Sequence, residues 1–229
     1  MNRRELLSAA VLAPMFLGAT SPDAGATPSS PAGRVVKPLP FDPTKLKGLS
    51  EKLLTSHHAN NYGGAVKNLA KVEEELARLE PDALPALVGG LRERALQFHN
   101  SMTLHEWYFG NLGGDGKQSG ALAKALPANW EQEFRATANS LGGGSGWVTL
   151  SLHTVTGELL TAWSGNHTQA PAGALPLLVL DMYEHSYALD YGAAAAKYLD
   201  AFFANVKWEE VERRYALARA ALKALGHAL

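Results

Sequence analysis

The stretch Leu177–Tyr191 reads LLVLDMYEHSYALDY. An apolar run ends in Asp181, and Glu184 and His185 follow at once, with the histidine four positions after the aspartate. A carboxylate and an imidazole delivered together at a strand end can bind a cation. Two more histidines, His57 and His105, stand on helix-patterned stretches far upstream. If those helices pair antiparallel, the two imidazoles can face each other, and the strand end can add Asp181 and His185. Three imidazoles and one carboxylate suit a first-row transition metal such as iron, manganese or zinc. The spacing alone does not demand this. D-x-x-x-H is a common pattern, the chain has eight histidines, and a lone helical histidine is more often a core or surface residue than a ligand.

The surrounding pattern predicts what must position these groups. From Leu49, apolar residues recur at three- and four-residue spacings (Leu53, Leu54, Val66, Leu69, Val72, Leu76), which predicts a helix with Ser50 as its cap. Gly63-Gly64 inside it predicts a kink or a close helix–helix approach. A second helix is predicted from about Ala83 to Phe109, and GNLGGDGKQSG then breaks the pattern. A further helix over Glu131–Leu141 ends at three glycines. GWVTLSLH, ELLTAWS and LPLLVLD follow as strand candidates, and helices resume to the end. The fold class is α+β: an N-terminal helical hairpin domain at residues 39–116, then a C-terminal α/β domain at 117–229 with a three-stranded antiparallel sheet.

The first residues, MNRRELLSAAVLAPMFLGATSPDAGA, carry paired arginines, an apolar run from Leu6 to about Leu17, and an A-x-A-like ending at Ala24-Gly25-Ala26. That is the layout of an export signal over residues 1–26, too short in its apolar part to span a bilayer comfortably. The arginine pair resembles the twin-arginine type, and a general secretory signal is the alternative. Residues 27–38, rich in Pro, Ser and Gly, read as a linker. Export to a periplasm or the cell exterior is therefore expected, with no stable membrane anchor after removal of the signal. The 229 residues include no cysteine, so disulfides, thiolate-bound metals and iron–sulfur clusters are excluded. A formal net charge of -1 implies no basic face for nucleic acid.

The segments HHANNYGGAVKNL, LHEWYFGNL, GGGSGWVTL, LLVLDMYEHSYALDY and KYLDAFFANVKWEEVERRY occur in this order. Together they resemble the iron/manganese superoxide dismutase family over about Leu39 to Tyr215, most specifically in the D-x-[aromatic]-E-H-[small]-Y run. The resemblance implies one iron ion per subunit, with manganese possible, held by His57, His105, Asp181 and His185. It implies conversion of superoxide to oxygen and hydrogen peroxide as the ion alternates between the 3+ and 2+ states. It places Glu184 where family members hydrogen-bond a ligand histidine of a second subunit, in a homodimer or tetramer. His167 falls where a residue donates a hydrogen bond to metal-bound solvent, and histidine there favours iron. Trp107, Phe109, Trp147, Trp163 and Tyr183 are expected to form an apolar shell, with Trp147 and Tyr183 the best matches.

The chain departs from the family on the helical face that follows the first ligand. Where the family carries a gateway histidine and tyrosine, this chain has Asn61 and Ala65. The partner tyrosine is replaced by Ala188, and only Tyr187 of that pair remains. Tyr62 either presents its hydroxyl to the funnel from another angle or packs between helices. These losses leave two alternatives beside a superoxide dismutase: a non-enzymatic metal-binding protein on the same fold, or a redox enzyme turned to another small oxidant such as a peroxide.

Overall fold

A computed structural model describes residues 34–224 and 226. The expected signal segment, most of the linker and His227 lie outside the described residues. Ser50 caps α1 (Glu51–Ser56) by accepting the Leu53 N–H at 3.0 Å. The helix continues without a break through a π-helical turn, His57–Tyr62, into α2 (Gly63–Ala77). α3 (Pro85–Gly110) returns alongside α2, so the hairpin predicted from the apolar spacing is present. Pro85 begins α3, where a missing N–H costs nothing.

The distortion in the first helix abuts the glycine pair, and Gly63 N–H donates to the His58 carbonyl at its end. The distortion is the π-helical turn before Gly63, a device that often accompanies functional sites. No close helix approach occurs at the pair: a Cβ at Gly64 would meet nothing within 4 Å, and one at Gly63 only ordinary contacts.

Two short helices, α4 (Gly120–Ala125) and α5 (Trp130–Asn139), lead into the sheet. β1 (Trp147–His153), β2 (Leu159–Ser164) and β3 (Ala174–Asp181) are all antiparallel, in the order β2-β1-β3. β1 is central and buried on both faces, which is why its sequence is apolar without clean alternation. Its two buried hydroxyls, Thr149 and Ser151, satisfy each other at 3.0 Å. α6 (Ala188–Tyr191), α7 (Ala195–Ala204) and α8 (Trp208–Ala224) complete the chain. Among the described residues no helix is long and apolar enough to cross a membrane.

One hydrophobic core runs from Leu53 and Leu54 on the hairpin, through Tyr108 and Phe109, to Val148, Leu178 and Phe202. Its cross-tie is Asn111, fully buried just past α3. The Asn111 Oδ1 accepts the Val179 N–H of β3 at 2.9 Å, and its Nδ2 donates to the Tyr108 carbonyl at 2.9 Å. β3 is an edge strand, so this side chain closes a ladder position that would otherwise be open.

The end of the linker region is not free. Arg34 pairs with Glu73 of α2, Lys37 pairs with Glu106 of α3, and the Lys37 N–H donates to the Tyr62 hydroxyl at 3.0 Å. Residues 34–38 thus lie as a strap on the hairpin.

Candidate metal centre

Antiparallel register decides which residues meet. Trp147, the first residue of β1, pairs with Ser164, the last of β2, and with Asp181, the last of β3. One end of the sheet therefore gathers Trp147, Asp181 and the loop that carries His167. His57 and His105 approach that end from the hairpin. His185 follows Asp181 by one short 3-10 turn, Glu184–Ser186.

Three imidazole nitrogens converge on one carboxylate oxygen. Asp181 Oδ2 lies 3.1 Å from His57 Nε2, 3.6 Å from His105 Nε2 and 3.3 Å from His185 Nε2. The four candidate donor atoms all lie within 4.8 Å of one another. Donors about 2.0–2.2 Å from an ion sit roughly 3–3.5 Å apart, so the cluster has the dimensions of a filled coordination sphere.

His57 Nε2 and His185 Nε2 lie within hydrogen-bond reach of Asp181 Oδ2, and the hydrogen bonding around the cluster leaves His105 Nε2 without a partner. His105 Nδ1 lies 2.7 Å from the Ser101 carbonyl, which can only accept, so Nδ1 carries the proton. His105 Nε2 is then a bare lone pair, buried and without a partner, facing a carboxylate oxygen. Lone pair against lone pair is repulsive, and a cation between them removes the conflict. Asp181 Oδ1 accepts the Tyr183 N–H at 2.9 Å, which leaves Oδ2 for the ion. Iron, manganese or zinc fits this donor set.

Electrostatics favour the metal-binding protonation states of His57, His105 and Asp181. Burial holds the His57 imidazole below its ordinary value despite the neighbouring Asp181. Burial, with the charge of His57 behind it, pushes His105 down to about 3. Burial alone would push the Asp181 carboxyl up, but the charge and hydrogen bonds of His185 and His57 outweigh it and hold the carboxyl far below the usual range. Neutral imidazoles and an ionised carboxylate are the forms that bind metal.

The proposed shell divides. Phe109 packs 5.0 Å from the His57 ring, Trp147 5.1 Å from His105, and Tyr183 5.3 Å from His185. Trp163 does not belong to it: β2 turns it outward and it is 52% exposed. Trp107 also leaves the shell, since its ring lies under the Arg214 guanidinium at 5.7 Å. Tyr62 packs between helices. It is buried, and its hydroxyl donates to Glu106 at 3.0 Å on the side away from the funnel. Burial pushes that hydroxyl up to about 12. Tyr187 is a core residue, accepting the Gly143 N–H at 3.1 Å and stacking on Tyr198.

His167 is beside the cluster. It stacks on Tyr183 with centroids 4.8 Å apart, and its ring centre is 6.4 Å from that of His105. The Trp147 indole N–H donates to His167 Nδ1 at 2.9 Å. Indole can only donate, so the imidazole proton sits on Nε2. Burial lowers the pKa of His167. A funnel of about 220 Å³ leads to His105, His167 and His185, lined among others by Asn60, Asn61, Gly64 and Ala65. Glu184 is exposed, and His185 has the only ligand side chain of the four with appreciable exposure, 27%.

Two residues at the site carry no strong signal in the sequence. Ser101 fixes the His105 tautomer through its carbonyl, and only the four-residue spacing on one helix hints at it. Asn100 donates from Nδ2 to the His167 carbonyl at 2.7 Å, a contact 67 residues apart in the chain.

Residues 123–214 match the C-terminal domain of iron/manganese superoxide dismutases. A protein of Cupriavidus metallidurans named as an iron superoxide dismutase is 47% identical over 190 residues, covering 80% of this chain and 96% of that protein. A manganese-named superoxide dismutase of Halobacterium salinarum is 33% identical, with 78% and 92% covered. An iron-named superoxide dismutase of Aquifex pyrophilus is 31% identical, with 80% and 92% covered.

Proposed function

The chain belongs to the iron/manganese superoxide dismutase family, and from that premise we propose that it converts superoxide to oxygen and hydrogen peroxide at the His57–His105–Asp181–His185 cluster. The observation that carries this is the convergence of three imidazole Nε2 atoms on Asp181 Oδ2 in a buried site. An iron or manganese ion held there supplies one-electron chemistry, alternating between 3+ and 2+, so that one superoxide is oxidised to oxygen and the next reduced to hydrogen peroxide.

The chain's own residues do the rest. Ser101 and Tyr183 N–H orient His105 and Asp181. Phe109, Trp147 and Tyr183 exclude bulk water. His167 holds a proton on Nε2, at the inner end of the funnel, where it can donate to bound solvent or to a reduced product. Iron is the ion we favour, supported by histidine at position 167 and by the iron-named relative of Cupriavidus metallidurans. Asn61 and Ala65 leave the funnel wider than a gateway histidine and tyrosine would, so product inhibition is the property most open to change.

Two broader readings accompany this one. The protein is exported to the periplasm or beyond, supported by Arg3-Arg4, the apolar run and the A-x-A-like ending. Replacing both arginines by lysine abolishes export through the twin-arginine route; unaltered export points to the general route. The protein also works as a homodimer in which Glu184 reaches the partner's ligand histidine. The central test is metal analysis of the purified protein with superoxide consumption measured per bound ion, after loading with iron or manganese separately. Activity with iron that falls in His167→Ala without loss of metal supports the reading. A wild type inactive with either metal, or active only with manganese, overturns it.

A further inference from the structure

We propose that Asn100 is a positioning residue for the reaction, pinning the His167 loop to the helix that carries a metal ligand. The inference rests on the reading of His167 given above and extends it to a residue that touches neither substrate nor metal.

Two hydrogen bonds hold His167 among the described residues. Trp147 Nε1–H reaches its side chain from β1, and Asn100 Nδ2–H reaches its backbone carbonyl from α3. Every other side-chain hydrogen bond of residues 164–169 is local to that stretch or comes from the loop before β1, while Thr154 holds the far end of the loop by donating to the Gly173 carbonyl at 2.7 Å. Gly165 N–H donates to Gln169 Oε1 at 2.9 Å, Thr168 N–H donates to Asn166 Oδ1 at 2.8 Å, Ser164 donates to the Asn166 carbonyl at 2.8 Å and to that of Gln169, and Ser145 donates to the Gly165 carbonyl. Those bonds shape the loop without fixing its distance from the cluster. Asn166, Thr168 and Gln169 are exposed, so apolar burial does not fix it either.

Asn100 does fix it. It sits five residues before His105 on α3, and between them Ser101 holds the His105 ring. One helix thus sets both the ligand imidazole and the backbone of the donor imidazole. The indole bond determines which His167 nitrogen bears the proton and holds one side of the ring, while the Asn100 bond sets the backbone from which the ring projects. A donor displaced by an ångström loses most of its effect on a reacting centre.

The test uses Asn100→Ala, Asn100→Gln, His167→Ala and the double variant Asn100→Ala/His167→Ala. In metal-free protein, exchange of the Gly165 and Thr168 amides, which have acceptors within the loop, should quicken in Asn100→Ala by about three- to tenfold, the size of one hydrogen bond lost. In the iron-loaded protein, the reduction potential and the spectroscopically titrated azide affinity should shift in Asn100→Ala in the direction set by His167→Ala, with global melting little altered. Asn100→Gln, which keeps a donor, should recover part of both. The decisive result is the double variant: once His167→Ala is present, Asn100→Ala should add no further shift in potential or azide affinity. An Asn100→Ala protein with wild-type exchange, potential and azide affinity, beside a His167→Ala protein that differs, overturns the role of Asn100 alone. A His167→Ala protein with wild-type potential and azide affinity overturns the reading of His167, and this inference with it. Equal, additive shifts in the double variant also overturn it, since Asn100 then acts independently of His167.

Discussion

Asp181 decides whether the centre exists at all. It supplies the only carboxylate among the four donors, and three imidazoles are aimed at one of its oxygens. Asp181→Asn keeps shape and volume but removes the charge and places amide hydrogens or a neutral oxygen before those imidazoles. Metal retention should fall by at least about tenfold, the loss typical even of groups one shell further out. Elemental analysis after dialysis against a chelator measures it, and unchanged metal content would remove Asp181 from the ligand set. The same residues predict how the metal-free protein responds to acid. An unperturbed histidine takes up its proton near pH 6.5, while folded His105 takes none until about 3, and His57 is lowered as well. Between those limits the unfolded state binds more protons than the native state, so stability must fall as the pH drops. Asp181 adds to the loss at the lower end, because its depressed carboxyl gives stability that is present above its ordinary value and lost on further acidification. Urea midpoints of the metal-free protein should decline from about pH 6.5 downward, by up to roughly 1.4 kcal/mol per pH unit for each such site. A flat profile would show that these histidines are protonated in the folded chain.

At the scale of elements, the hairpin, the three strands and the glycine-marked break at residues 110–120 were legible because each is a local pattern of spacing and turn residues. The four side chains that converge at the end of the sheet were legible too, through the words around them. What could not be read were contacts that close across the sequence. Trp163 sits on a β2 strand whose sequence does not say which face is buried, and the sheet turns it outward. Asn111 follows α3 as a polar residue in a break and reads as a turn former, yet it is fully buried and joins α3 to the edge of β3. Replacing it with leucine strands the Val179 N–H within the core, while the Tyr108 carbonyl keeps the backbone N–H of residue 111 at 3.2 Å. Asn111→Leu should therefore cost about 1–3 kcal/mol for the group stranded, and it should also loosen the metal, since Asp181 lies two residues past Val179 on the same strand. Denaturant unfolding of the loaded protein tests this; a change under about 0.5 kcal/mol, the scatter of ordinary surface substitutions, would show the tie to be dispensable.

At the scale of the whole molecule, one asymmetry of the centre points beyond the single chain. His57, His105 and Asp181 are sealed in the core, but the His185 side chain is 27% exposed and adjoins Glu184, which is exposed and has no hydrogen-bond partner for its carboxylate among the described residues. A ligand imidazole needs its second nitrogen held, or the ring turns and its basicity drops. His105 has that support from Ser101 within the chain; His57 Nδ1 and His185 have no counterpart to it among the described residues, and of the two only His185 is open to a group from outside. A two-fold axis beside this turn would let the Glu184 carboxylate of each copy hold the His185 imidazole of the other, satisfying both charges and both rings with one contact repeated. Glu184→Ala should then shift the protein toward monomer and weaken metal binding together, by about 10–100-fold in affinity or activity. Sedimentation measured beside metal content is the check. Glu184→Gln separates the two effects, because the amide oxygen still accepts from the imidazole: assembly should be partly retained while the metal is held less firmly than in the wild type. Mass and metal content unchanged in Glu184→Ala would make this carboxylate an ordinary surface charge and leave His185 supported by water alone.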